Sequence, residues 1–259
     1  GTTQIIEDKR SRDHTENILI KNSQAIKVKK GKKKLIEIYG KKYLNRFNID
    51  VPGDPSSAAF FTALTLLNKD SKLKIKNVGL NPTRIGFYEL LKKHGAKIKF
   101  KNIKKNNNEI YGDIHVQSSK MKPIKASKDF YVKTTDEYPI LSIIAALTKG
   151  TSVFKGIGDL VNKESNRIKE MQKVLKQIGI KSKSTKDQLK IFGKNISIPK
   201  NKIIKVPDIK DHRIFQSTSI LALITGTKAR MKNFETVFTS APSFLKIVKS
   251  LGGKFEIER

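Results

Sequence analysis

Lys163, Glu164 and Arg167 fall within one pentapeptide, Lys163-Glu164-Ser165-Asn166-Arg167. Two cations and a carboxylate this close can hold an anion and move a proton beside it. Apolar residues follow at helical spacing: Ile168, Met171, Val174, Leu175 and Ile178. The pattern predicts a helix from near Asn162 to a stop at Gly179. The charged cluster then lies in the first turn, where free N–H groups and the positive end of the dipole favour an anion. Lys163 and Arg167, four residues apart, share a face, with Glu164 beside them. Cations there oppose the dipole until an anion arrives. A plain solvated helix start is the competing reading of the cluster taken alone.

Further polar residues stand at other predicted helix starts. Asp54, Asp136 and Asp211 each precede an apolar stretch. N-capping accounts for Asp54. Asp136 is followed by Glu137, which adds negative charge, and Asp211 by His212 and Arg213, which place a cation at a helix start. Ser11 and Arg12 open a short capped helix near the beginning of the chain. Ser11, Arg12, Asp136, Lys163, Glu164, Arg167, Asp211 and Arg213 together carry more cations than a structural network needs. They suit an anionic small molecule bearing phosphate and carboxylate, with carboxylates whose proton affinity is tuned by burial and by neighbouring cations. No Gly-rich phosphate loop or dinucleotide fingerprint is present, so a nucleotide is not indicated.

Composition narrows the field. The 259 residues contain no cysteine, which removes disulfides, thiolate metal sites and a cysteine nucleophile from this stretch. Four histidines are scattered without zinc-type spacing, and neither a metal nor an organic cofactor is implied. No apolar run is long enough to span a bilayer, no signal peptide is evident, and a cytoplasmic place is expected. The net charge of +31 invites a nucleic-acid reading, but only eight of the 54 basic residues are arginine and the lysines are spread along the chain. There is no arginine-rich arm and no RNP-type aromatic pair, so neither a nucleic-acid nor a membrane partner is expected. Against that lysine background, Arg12, Arg84, Arg167 and Arg213 stand in turn or helix-start motifs, where a planar bidentate donor suits carboxylate or phosphate. The opening Gly1-Thr2-Thr3-Gln4 reads as part of a longer protein.

The elements that must position these residues repeat. Residues 1–50 predict a short helix, strands at 24–29 and 34–39, and a crossing segment over 41–50. From Val51 a unit of helix, strand, helix and strand recurs three times, over about 51–117, 118–193 and 200–259. The leading Asp and the helix-ending Gly are 41, 43 and 41 residues apart (Asp54 to Gly95, Asp136 to Gly179, Asp211 to Gly252). The last unit is expected to end in a strand over 254–258. The first helix of each unit is almost wholly apolar, as in Ile140-Leu141-Ser142-Ile143-Ile144-Ala145-Ala146-Leu147. A helix apolar on every side must be buried on every side. The expected fold is α/β (α+β), with three-fold pseudosymmetry, helices inside and sheets outside.

Several segments resemble the EPSP synthase (3-phosphoshikimate 1-carboxyvinyltransferase) family. They are Ser11 to Glu16, Val51-Pro52-Gly53-Asp54-Pro55-Ser56-Ser57-Ala58-Ala59-Phe60, Asn81-Pro82-Thr83-Arg84, Asp136-Glu137-Tyr138-Pro139, the 163–167 pentapeptide and Asp211-His212-Arg213. They occur in order over nearly the whole chain. The resemblance implies an inside-out α/β barrel built of repeated βαβαββ units. Residues 51–259 would be its C-terminal domain and residues 1–50 the end of an N-terminal domain otherwise missing. The implied reaction moves the enolpyruvyl group of phosphoenolpyruvate to the 5-hydroxyl of shikimate 3-phosphate, a step towards chorismate and the aromatic amino acids, in a protein that is monomeric at full length. Asp136 is then the base for the hydroxyl, Glu164 handles the proton at the enol carbon, and Lys163 contacts both substrates. Arg167 and Arg213 clamp phosphoenolpyruvate, and Ser11 and Arg12 reach the shikimate phosphate. This portion by itself is expected to be inactive. A sister family, UDP-N-acetylglucosamine enolpyruvyl transferase, shares fold and chemistry but does not usually carry Asp-His-Arg or Lys-Glu-Ser-x-Arg in these places; a basic, non-catalytic binding module is the other alternative. Three departures from the family pattern bear on site and packing: Asn166 for a usual Asp, Phe215-Gln216 where smaller or more flexible apolar residues are common, and Ala241 for a usual Phe.

Overall fold

The computed structural model describes residues 1–8, 11–196, 198–199 and 201–257. The chain opens with strand β1 (Thr2–Glu7), which the sequence reading did not anticipate, then helix α1 (His14–Asn22), β2 (Ile26–Lys30) and β3 (Lys34–Tyr39). These strands form an antiparallel sheet in the order β1-β3-β2. Asp13 holds the N-cap position of α1 but gives no side-chain cap bond. Its Oδ1 accepts instead from the side chains of Asn17 and Asn81, at 3.2 and 2.8 Å, tying α1 to the next unit.

The first repeat contains α2 (Pro55–Leu67), β4 (Lys72–Gly79), α3 (Gly86–Lys93), β5 (Lys97–Asn106) and β6 (Glu109–Gln117), with sheet order β4-β6-β5. Asp54 caps α2 by accepting from the backbone N–H groups of Ser56 and Ser57 at 3.2 and 2.9 Å, and Pro55 starts it with its φ already set. On β5, Lys97, Lys99 and Lys101 alternate with the inward Ile98 and Phe100, so lysine excess lies on the outer face of the sheet.

The second repeat adds β7 (Lys125–Ala126), α4 (Tyr131–Thr134), α5 (Tyr138–Ala146), β8 (Gly150–Lys155), α6 (Arg167–Gln177), β9 (Lys181–Thr185) and β10 (Gln188–Gly193), with sheet order β7-β8-β10-β9. The third has β11 (Ile203–Val206), α7 (His212–Thr225), β12 (Lys228–Met231), α8 (Thr236–Ser240) and α9 (Phe244–Ser250), with β11 and β12 parallel. Strands β7 and β11 and helices α4 and α8 are short, too short for apolar periodicity to announce them.

All nine residues of α5 are buried. Helices α2, α5 and α7 pack against one another in all three pairs, with the sheets outside them. The repeats also close on each other: Phe244 of α9 meets Phe60 and Phe61 of α2, with ring centroids 6.3 and 5.6 Å apart. The central-helix expectation therefore holds. Among the described residues no helix is long and apolar enough to cross a membrane.

Two expectations need correction. Helix α6 begins at Arg167, not near Asn162. A short 3-10 turn covers Gly158–Asn162, and Asn166 then caps α6 by accepting from Lys169 N–H at 3.0 Å. Lys163 and Arg167 are thus not one helical turn apart on a shared face. The strand expected over 254–258 is not formed at 254–257, while 258 lies outside the described residues. Phe255 and Ile257 are exposed there, and no strand edge pairs with them among the described residues.

Candidate active site

The N-termini of α2, α5 and α7 bring Asp54, Asp136, Glu137 and Asp211 together with Arg84, Arg167 and Arg213, and Arg12 reaches in from the segment before α1. Asp136 is the meeting point. Arg12 Nη2 lies 2.7 Å from Asp136 Oδ2, Arg167 Nη1 lies 3.5 Å from Oδ1, and Arg213 Nη2 lies 3.9 Å from Oδ2. Burial pushes the Asp136 carboxyl up, but the charges of Arg213, Arg12 and Arg167 outweigh it and hold the group at about 2. Asp136 does not cap α5; Glu137 occupies that position, without a side-chain cap bond.

Arg167 is the most enclosed cation, with its side chain 2% exposed. Its Nε donates to Asp211 Oδ2 at 3.1 Å, and its Nη2 donates to Glu164. Asp211 is itself fully buried. It also takes the Ser165 hydroxyl at 2.8 Å and caps α7 through Arg213 N–H at 2.9 Å. Through these bonds the buried Asp211 carboxylate ties the start of α6 to the start of α7.

Arg213 is less completely held. Its side chain is 11% exposed, its Nε is buried with no acceptor, and its closest carboxylate is the one at 3.9 Å. His212 Nδ1 lies 3.9 Å from Glu164 Oε1. Burial, reinforced by Arg213, lowers the His212 pKa below its usual range, so the ring is neutral at pH 7.

The structure brings Arg12, Asp136, Glu164, Arg167 and Arg213 into one cluster. Lys163 is not joined to it: Nζ pairs with Asp159 Oδ2 at 2.9 Å, on a carboxylate half exposed to solvent. Ser11 gives its hydroxyl to Glu7 and its N–H to the same oxygen at 3.1 Å. Arg84 donates to Asp54 Oδ1 and Ser56 Oγ, both at 2.9 Å, extending the network to α2. Sequence reasoning gathered Asp211 with the charged helix starts but assigned it no individual role, and gave Ser165 none. Asp211 was visible as a helix-leading Asp. Nothing in the sequence signalled that Ser165 would reach it.

Comparison with known proteins places these residues in a family. The family model for EPSP synthase (3-phosphoshikimate 1-carboxyvinyltransferase) matches residues 1–248. The chain belongs to the EPSP synthase family. It is 40% identical over 245 residues to the 3-phosphoshikimate 1-carboxyvinyltransferase of Persephonella marina, covering 94% of this chain and 56% of that protein. The Bacillus licheniformis enzyme of the same name is 36% identical over 254 residues, 98% of this chain and 58% of that one. The solved EPSP synthase from Acinetobacter baumannii superposes with a TM-score of 0.88 at 35% identity, over the whole of this chain and 58% of that one. The enolpyruvyl transferase NikO from Streptomyces tendae, at 13% identity and a TM-score of 0.73, shares the fold. The chain thus spans under three-fifths of the length of these family relatives.

The departures from the family pattern are accommodated. Asn166 still caps α6. Phe215 is fully buried and stacks on Phe234, with centroids 6.1 Å apart, and Gln216 is buried beside it. Ala241 N–H closes the end of α8 on Val237 at 2.7 Å and its carbonyl receives Phe244 N–H at 2.9 Å.

Proposed function

We propose that this chain supplies the C-terminal half of a cleft that transfers the enolpyruvyl group of phosphoenolpyruvate to the 5-hydroxyl of shikimate 3-phosphate, with release of phosphate. On this reading residues 51–259 are the C-terminal barrel domain, in repeats of about 51–117, 118–193 and 200–259, and residues 1–50 complete an N-terminal domain. The observation that carries it is Arg213: an enclosed guanidinium whose Nε is buried without an acceptor and whose nearest carboxylate, that of Asp136, stands 3.9 Å away. A guanidinium so placed favours a planar or tetrahedral oxyanion strongly.

The chemistry follows from the pairings. An entering phosphoenolpyruvate competes with Asp136 for Arg213 and Arg167. As those cations turn to the substrate, Asp136 loses the charges that hold it at about 2 and becomes a stronger base. It then takes the proton of the 5-hydroxyl as that oxygen bonds to the enol carbon bearing phosphate. Glu164 gives a proton to the methylene carbon, forming a tetrahedral intermediate. Loss of a proton from the new methyl group to Glu164, and departure of phosphate with the proton that Asp136 had taken, restore the double bond. Fixed cations stabilise the developing charge without reorganising. Lys163 is free to join, because its pair with exposed Asp159 is worth little in water. Ser11 and Arg12 take the phosphate of the acceptor. Both substrates are multiply anionic and cross a lipid bilayer poorly, which supports a cytoplasmic enzyme; at full length it is proposed to be a monomer.

The test is phosphate release from phosphoenolpyruvate and shikimate 3-phosphate. The protein completed with the missing half, fused or supplied in trans, should turn over, and residues 1–259 alone should not. Turnover by residues 1–259 alone would sink the two-halves reading, and a completed protein active only with an amino-sugar acceptor would sink the substrate assignment.

A further inference from the structure

Glu137 differs from every other carboxylate around the cleft. It is 4% exposed, at the start of the fully buried α5, and among the described residues it has no ion-pair partner. One of its oxygens accepts the hydroxyl of Ser56 from the first turn of α2. Arg84 donates to that same hydroxyl oxygen at 2.9 Å and spends another bond on Asp54. The nearest arginine on that side is thus relayed to Glu137 through a neutral group. Its sequence neighbour Asp136 collects Arg12, Arg167 and Arg213. Two adjacent carboxylates therefore share one site, and the cations sit on one of them.

We propose that Glu137 is a proton-holding partner of Asp136, which takes up a proton from solution when an anion fills the arginine cleft and releases it when the anion leaves. It would be a positioning residue that sets the charge behind Asp136. The groups facing it are Asp136 on its own segment, Ser56 and Asp54 at the start of α2, Arg84 and Tyr88 around α3, Tyr138 on α5 and Arg213 on α7. Burial pushes the Glu137 carboxyl up against the pull of the Ser56 hydrogen bond. The Asp136 charge adds to the rise, Arg213 and Arg84 oppose it, and the group sits at about 7. An anion at Arg213 adds negative charge nearby and withdraws a cation, so it drives the group further up and binds a proton. The inference rests on the reading of the cleft as an anion site, not on the identity of the substrates.

Sulfate is the probe, because it stays a dianion across the range and brings no titration of its own. Sulfate is titrated calorimetrically into the 259-residue chain at pH 8, in two buffers of different protonation enthalpy, for the wild type and Glu137→Gln. His212 is neutral at that pH. The wild type is expected to take up about 0.3–0.5 proton per sulfate, as linkage requires for a group moved through the working pH, and the variant close to none. Melts without ligand from pH 5 to 8 give an independent reading. As pH rises the wild type should lose stability relative to Glu137→Gln, the loss setting in above the ordinary carboxyl value of 4.5 and levelling off above about 7. Ser56→Ala, which keeps the carboxyl but removes a hydrogen bond that favours its charge, should move that levelling-off to higher pH. Equal proton uptake in the two proteins, no sulfate binding, or melts that run parallel with pH would each overturn the proposal. None of these measurements uses phosphoenolpyruvate or shikimate 3-phosphate, so a wrong enolpyruvyl reading leaves their outcome unaffected.

Discussion

Arg12 and Asp136, 124 residues apart in sequence, meet side chain to side chain at 2.7 Å. The contact joins the segment before α1 to the start of the most buried helix. It sets Arg12, the residue assigned to the acceptor phosphate, directly against the residue assigned as base.

Asp136 therefore has a pH signature. Its carboxyl is held at about 2 in the fold, below the ordinary 3.8. A depressed carboxylate stabilises the fold fully above 3.8, and that contribution is lost as pH falls through 2. The shift corresponds to about 2 kcal/mol. Asp136→Asn should be less stable than wild type by about that amount at pH 7, and the gap should close between pH 4 and 2. In the completed enzyme the same substitution should lower kcat by about 10²–10⁴-fold, the usual loss when a general base is removed. Melts and rates on one preparation check both. A stability gap that ignores pH would show that the arginines do not act on this carboxylate.

Arg167 and Arg213 should separate. Arg167 is almost wholly enclosed and bonded to buried Asp211, so Arg167→Ala leaves that carboxylate without its main cation. The loss expected from breaking a buried pair is about 3–5 kcal/mol. Asp211→Ala together with Arg167→Ala should fall short of the sum of the singles, because both remove one interaction. Denaturant melts of the two singles and the double measure this; simple additivity would count against the pair.

Arg213→Lys should behave in the opposite way. It keeps the charge, so stability should move by less than about 1 kcal/mol. In the completed enzyme the KM for phosphoenolpyruvate should rise about tenfold, because lysine lacks the planar fork. Affinity for shikimate 3-phosphate, titrated alone, should hardly change. An equal loss for both ligands would make Arg213 a structural residue.

Gly193, at the end of β10, should not tolerate a side chain. A Cβ there would stand 2.0 Å from the Ala145 carbonyl oxygen and 2.1 Å from that of Thr148. Gly193→Ala must push β10 away from the end of α5, at a cost of about 1–3 kcal/mol typical of overpacking. A melting temperature equal to wild type would show that this strand edge yields freely.

Much of this protein was legible in its residue order, for a local reason. Apolar runs such as 140–147 can be satisfied only inside a core, so the sequence alone determined three central helices, their matched spacing and the sheets outside them. The Asp54 cap and the helix-ending glycines were equally local; Gly179 and Gly252 have φ of +72° and +86°, which suits glycine there. The charged residues could be named, but their partners could not. Arg167 was expected to face an anion beside Lys163, and the fold gives it to Asp211 and Glu164 while Lys163 turns to Asp159. Helix α6 starts later than its apolar pattern suggested, because Ser165 reaches Asp211 and Asn166 takes the cap. Periodicity reports on burial, which neighbours in sequence share. Ion pairing depends on where distant helix ends converge and how much water remains between them, so only the tertiary structure decided that Asp136 gathers the arginines while Glu137, one residue on, is left with a hydroxyl.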